Sequence, residues 1–186
     1  EGGRDPDDCP DLGLEICNYH TDSMSIQAEQ AIRESDEQPF YLQVDYHTPH
    51  GDSRPPGGPE PAARHYDTAL RTAGPRPKGF NEKNISDKPA FLQADAAEPL
   101  NGAEIRRIDI EFRKSIEALR SVDDGVGRII RALRETGKLQ NTYVIYTSDN
   151  GFFNGQHRIS RGKLMPYEPA LRVPFVIRGP GIRART

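Results

Sequence analysis

The sequence has no tryptophan, only two cysteines, and apolar runs that last just a few residues. A membrane-spanning helix needs ~20 consecutive apolar residues, so no segment here reads as one. Hydrophobic residues make up 34% of the chain, against 17 glycines and 16 prolines. That leaves few side chains for a private core and predicts a loop-rich globular piece. The formal net charge is −3, and no basic stripe interleaves with aromatics. Nucleic-acid binding therefore has no footing in the composition. Cys9 and Cys17 form neither a CxxC pair nor a zinc pattern; they read as two thiols, with a local disulfide as the other arrangement. The chain opens on "EGGRDPDDCPDLG" and closes on "RGPGIRART". Both read as interior sequence, so the expectation is a segment of a longer protein whose targeting signals lie elsewhere.

What is present follows a clear order. Asp22 is placed to cap a helix running to about Ser35, with Met24, Ala28, Ala31 and Ile32 on its apolar side. Residues 40–46, "FYLQVDY", read as a mostly buried strand that runs into "HTPHGD". Residues 53–100 hold most of the prolines and keep no period, which predicts a long loop excursion with short helical turns. Within it, Asn84-Ile85-Ser86 matches a glycosylation sequon. From Ala103 to Thr136 the apolar residues Ile105, Ile108, Phe112, Leu119, Val122, Val126, Ile129 and Leu133 make one stripe on a long helix. Gly125 and Gly127 permit bending or close packing, and Gly137 is placed to end the helix. Strands are expected at 142–146 and 173–177. This alternation predicts an α/β layer architecture with a mostly parallel sheet flanked by helices.

In such sheets ligands sit beyond the carboxyl ends of the strands, where both "HTPHGD" and "SDNG" fall. Asp149 and Asn150 offer hard oxygen donors suited to Ca²⁺ or Mg²⁺, although Asp-Asn-Gly is equally good turn chemistry. Two oxygens are too few for Ca²⁺, which takes six to eight. His47 and His50 follow a strand and could donate a proton or bind an anion. Lys163 sits in a glycine-flanked loop and could neutralise an anionic substrate. With Arg158 and Arg161 it makes a local positive cluster near Asp149 in sequence.

The stretch "YTSDNGFFNGQHRISRGKLMPYEPALRVPFVIRGPG" resembles the region after the central strand in type I sulfatases, with S-D-N-G, G-x-H, G-K, Y-E and R-V-P in order. "YLQVDYHTPHGD", "YHTDSMSIQAEQAI", "FNEKNISDKPAF" and "SVDDGVGRIIRALRETGKLQNT" are similar to other parts of the same domain. The resemblance covers nearly the whole of residues 1–186. It implies a partial alkaline-phosphatase/sulfatase-like sandwich, of the arylsulfatase-like kind, that hydrolyses sulfate esters of small molecules or glycans. By the same resemblance Asp149 and Asn150 bind a divalent cation, Ca²⁺ first and Mg²⁺ second. His50 contacts the sulfate and the ester oxygen, Lys163 binds the sulfate and assists the leaving group, and His157 and His47 line the substrate pocket. A periplasmic or secreted location goes with the family.

Members of that family attack with a formylglycine made from Cys or Ser in C/S-x-P-x-R. No such pattern occurs here: "CPDLG" at Cys9 has its proline one place early and no arginine. Asp7-Asp8 does not match the family's early metal-binding pair either. The expectation is the second half of a catalytic domain, inactive alone, with its formylglycine encoded in a missing upstream segment. A phosphate or phosphonate monoester hydrolase of the same superfamily, or a truncated binding protein without catalysis, are the competing readings.

Overall fold

A computed structural model describes residues 19–51 and 58–184. Cys9, Cys17 and Asp7-Asp8 lie outside the described residues. The chain divides into two compact units, Glu1–Ala69 with Lys114–Tyr143 and Gly179–Thr186, and Leu70–Arg113 with Val144–Arg178.

In the first unit, helix α1 (His20–Glu34) buries Ile26, Ala28 and Ile32. Met24 is half-buried, whereas Ala31 is exposed. Asp22 is not the cap: the N-cap position is Tyr19, and no side chain caps it. Asp22 lies buried in the first turn, where the Arg64 guanidinium donates to both of its oxygens at 2.8 and 2.7 Å. A carboxylate near a helix start is favoured by the backbone dipole, and here a bidentate arginine adds to that.

Residues 40–46 run extended but carry no ladder among the described residues. Tyr41, Gln43 and Asp45 hydrogen-bond in series along one face, the period-two spacing of extended chain. Tyr41 is 86% exposed. The expected buried strand needs neighbouring strands, and with no ladder among the described residues Phe40, Tyr41 and Leu42 are exposed.

Helix α2 (Ala90–Asp95) lies in the proline-rich excursion. Leu92 and Ala96 pack there with Ile85, Ile159 and Tyr167, so the excursion has a small core within the second unit. A 3₁₀ turn occupies Ala63–His65, and residues 53–57 of the excursion are outside the described set. Asn84 sits in an exposed turn, its amide oxygen taking the Ser86 N–H at 2.9 Å.

Helix α3 (Gly102–Glu135) matches the sequence reading to within a residue. A capping box starts it: Asn101 Oδ1 accepts from the Ala103 and Glu104 N–H groups, and Glu104 accepts from the Asn101 N–H at 2.7 Å. Gly137, at φ 72°, ends it. Lys138 N–H donates to Leu133 O and Gly137 N–H to Arg134 O, which is a Schellman closure. Ile108, Val122 and Leu133 of the stripe are buried.

In the first unit α3 meets α1 closely. Glu29 accepts from Arg33 at 2.8 Å and Arg128 at 2.7 Å. Burial would raise the Glu29 pKa, but the two arginines outweigh it and hold the carboxyl below its usual range. A Cβ on Gly125 would come 2.2 Å from Ser25 Oγ and 2.6 Å from Tyr46 Oη. Those two oxygens are themselves bonded at 3.0 Å. Gly125→Ala is therefore expected to destabilise the fold by about 1–3 kcal/mol, the usual range for overpacking. Urea unfolding measures this, and Gly127→Ala, with open space at its Cβ, is the control.

In the second unit, β1 (Val144–Thr147) pairs with β2 (Phe175–Arg178) in the register Val144↔Arg178 to Thr147↔Phe175. This pair is antiparallel, and the mostly parallel sheet read from the sequence is not seen among the described residues. A parallel return needs a crossover of a dozen or more residues, usually a helix. Here the intervening segment holds only the one-turn helix α4 (Glu168–Leu171) and loops back through turns. Ile145, Phe175 and Val176 are left exposed. No helix of the described residues is long and apolar enough to cross a membrane.

Candidate functional site

The end of β1 delivers the chain into Ser148-Asp149-Asn150-Gly151. Ser148 Oγ donates to Asn150 O at 2.9 Å, and Asn150 Nδ2 to Gly151 O at 2.9 Å. The amide group thus faces the backbone, leaving the Asn150 side-chain oxygen as its spare acceptor. Gly151 is required by a close approach, because a Cβ there would lie 2.1 Å from Pro169 O. Its N–H bonds Ala170 O at 2.8 Å, tying the loop to α4.

The return leg explains why Lys163 comes back to this spot. Phe153 is fully buried, forms an isolated bridge with Gly162, and donates its N–H to Gly162 O at 2.8 Å. Gly162 adopts φ 128°, a conformation closed to side chains. Lys163 follows at once, and its Nζ lies 4.0 Å from Asp149 Oδ2. The lysine is 35% exposed and the aspartate 82%. An open pair of this kind adds little stability, so the ammonium is available to an incoming anion and the carboxylate to a cation.

The rest of the positive cluster is used otherwise. Arg158 donates to four carbonyls, Glu82 at 2.8 Å, Lys83 at 2.9 Å, Ala96 at 3.2 Å and Ala97 at 2.6 Å. Arg161 reaches Glu111 at 3.3 Å. Proximity in sequence groups these three cations, but each meets a different partner: backbone carbonyls for Arg158, Glu111 for Arg161 and Asp149 for Lys163. Two open clefts of about 240 and 420 Å³ border Arg158 and Ser160, and neither contains Asp149, Lys163 or His157.

His157 Nδ1 lies 2.8 Å from Glu82 Oε2, and its ring centroid is 4.9 Å from that of Tyr167. Lys88 Nζ lies 3.3 Å from the same Glu82 oxygen. Glu82 is absent from the sequence reading and Tyr167 enters it only through the Y-E motif, although both fall within stretches that carry the family likeness.

His47 and His50 belong to the first unit. Their rings are 4.7 Å apart, and His50 N–H closes a turn onto His47 O at 2.8 Å. His50 Nδ1 meets Gly51 O at 2.9 Å, which leaves Nε2 as its outward nitrogen. Thr48 joins the turn to α1 through Thr21 at 2.6 Å.

For a divalent cation the donor chemistry fits in kind: a carboxylate and an amide oxygen, adjacent and accessible. It falls short in number. Among the described residues no group of three or more His, Cys, Asp or Glu side chains is arranged to hold a metal ion.

A family model described as Sulfatase matches residues 2–186. An arylsulfatase of Volvox carteri is 36% identical over 184 residues, 89% of this chain and 28% of the relative. An N-acetylglucosamine-6-sulfatase of Bos taurus is 35% identical over 168 residues, again 89% of this chain and 28% of the relative. The chain thus spans little more than a quarter of the length of these curated relatives. A solved structure of a protein in complex with its substrate D-glucosamine-2-N,6-O-disulfate superposes with TM-score 0.63 at 22% identity, covering 87% of this chain and 43% of that one. That likeness shows a shared fold.

Proposed function

This chain belongs to the sulfatase family, and from that membership we propose that it is the lysine-bearing part of a catalytic domain that hydrolyses sulfate esters. The observation that carries the reading is the placement of Lys163 4.0 Å from Asp149 at the end of β1. A sulfate ester presents anionic oxygens that repel a nucleophile. Lys163 supplies positive charge for those oxygens and a proton for the departing alkoxide. Asp149 and Asn150 supply two oxygens toward a divalent cation, Ca²⁺ before Mg²⁺, whose other ligands come from outside this sequence. When bound, such a cation neutralises further negative charge on the sulfate. His50 takes part through its open Nε2, and His47 through the same turn; the support for both is the P-H motif. The nucleophile, a formylglycine, belongs to a segment outside these residues. The domain is then an alkaline-phosphatase-like sandwich whose mostly parallel sheet is completed by that missing portion, with Ile145, Phe175 and Val176 as the apolar surface left for it.

The substrate class follows the relatives: an aryl sulfate or a sulfated amino sugar, met in the periplasm or outside the cell. Steady-state assays of a polypeptide joining this chain to a C/S-x-P-x-R segment test the reading. Sulfate esters are expected to turn over faster than matched phosphate esters, while the 186-residue chain alone hydrolyses neither. Faster phosphate turnover would transfer the chain to the phosphomonoester branch of the superfamily. No turnover of either ester by the joined polypeptide would favour a binding role without catalysis.

A further inference from the structure

His157 is held from several sides. Its N–H donates to Gly79 O at 2.8 Å. The Gly79 backbone lies against the ring, since a Cβ there would come 3.3 Å from His157 Cε1. Tyr167 flanks the ring at 4.9 Å. The backbone at His157 and Arg158 is left-handed in both residues, a conformation that non-glycine residues seldom adopt. The four carbonyl bonds of Arg158 keep it there. Among the described residues the fixed ring has a single hydrogen-bond partner, Glu82 at 2.8 Å.

Glu82 is equipped to act as a pure acceptor. The His157 hydrogen bond holds its carboxyl below the usual range, burial opposes this, and Lys88 adds to the lowering. An ionised carboxylate offers no proton, so the proton in the bond must sit on His157 Nδ1. Among the described residues Nε2 has no hydrogen-bond partner.

We infer that Glu82 is a positioning residue that fixes His157 as the Nδ1–H tautomer, so that the neutral ring presents Nε2 as an acceptor for a hydroxyl on the alcohol part of the ester. Sulfate oxygens only accept hydrogen bonds, so they have nothing to give a neutral Nε2. His157, expected from the family resemblance only to line the substrate pocket, is thereby given a place beside the leaving group. The choice of ligand rests on the sulfate-ester reading, whereas the tautomer does not.

The tautomer is read directly by long-range ¹H–¹⁵N spectra of the labelled chain at about pH 8, where an ordinary imidazole is neutral. His157 is one of five histidines, and its signals are identified by their loss in His157→Gln. Nδ1 is expected to carry the proton. Glu82→Ala is expected to release the tautomer, and Glu82→Gln, whose amide oxygen still accepts, to retain it. A wild-type ring protonated on Nε2 would overturn the inference without any variant, as would an unchanged tautomer in Glu82→Ala. In the joined, active polypeptide Glu82→Ala is expected to raise KM for a hydroxyl-rich sugar sulfate about three- to tenfold, the scale of one neutral hydrogen bond, with kcat unchanged. A fall in kcat at constant KM would sink the recognition role. Absence of turnover would count against the sulfatase reading and leave the spectroscopic result standing.

Discussion

Replacing Lys163 by alanine is expected to lower kcat for sulfate-ester hydrolysis by about 10²–10⁴ in a polypeptide that joins this chain to its nucleophile segment. The range is that of losing one positioned acid, or one charge that acts where the transition state becomes more negative. The position supports so large an effect. Lys163 follows a glycine whose φ of 128° and bond to Phe153 fix where the side chain starts. Its sole ion-pair partner among the described residues is the exposed Asp149 at 4.0 Å, so its ammonium is not consumed by the fold. Two controls separate charge from proton transfer. Lys163→Arg keeps the charge but has no proton to give near neutral pH, so it is expected to restore KM more than kcat. The loss in Lys163→Ala is also expected to be larger for alkyl than for aryl sulfates, because a phenolate leaves with less help from an acid. A decrease below threefold, or an equal loss for both leaving groups, would remove Lys163 from the proton-donor role.

How much of this was readable in the sequence depended on how local the cause was. Helix α3 could be read closely because its stripe and Gly137 act within a few turns of one another. The Asp149–Lys163 pair could be read from its strand end and its motif. The Glu82–His157 bond could not, since the two residues lie far apart in sequence. The expected cluster of Arg158, Arg161 and Lys163 is divided in the same way by partners distant in sequence, backbone carbonyls for Arg158 and Glu111 for Arg161. Asp22 has the chemistry of a cap, and only the Arg64 guanidinium, distant in sequence, makes it an ion-pair partner instead. Residues 40–46 have strand composition, but composition cannot supply a neighbouring strand. Whether β1 and β2 run parallel or antiparallel depends on the path of the intervening loop, which carries no period to read.

Ca²⁺ titrated calorimetrically into the 186-residue chain is expected to bind with Kd of about 1 mM or weaker, worth no more than ~4 kcal/mol. The number follows from the donor count. Ca²⁺ takes six to eight oxygens; the loop brings the Asp149 carboxylate and the Asn150 amide oxygen, and among the described residues no three His, Cys, Asp or Glu side chains cluster to hold a metal ion. Lys163 opposes binding further, since its ammonium shares the Asp149 carboxylate. Asp149→Ala is expected to abolish the weak signal, and Lys163→Ala to strengthen it slightly, the opposite of its effect on turnover. In the joined polypeptide, where further carboxylates reach the same cation, Kd is expected to tighten at least 100-fold, and chelation is expected to stop hydrolysis. Micromolar binding by the chain alone that survives Asp149→Ala would mean that the cation sits elsewhere, and the assignment of Asp149 and Asn150 as half of a metal site would fall with it.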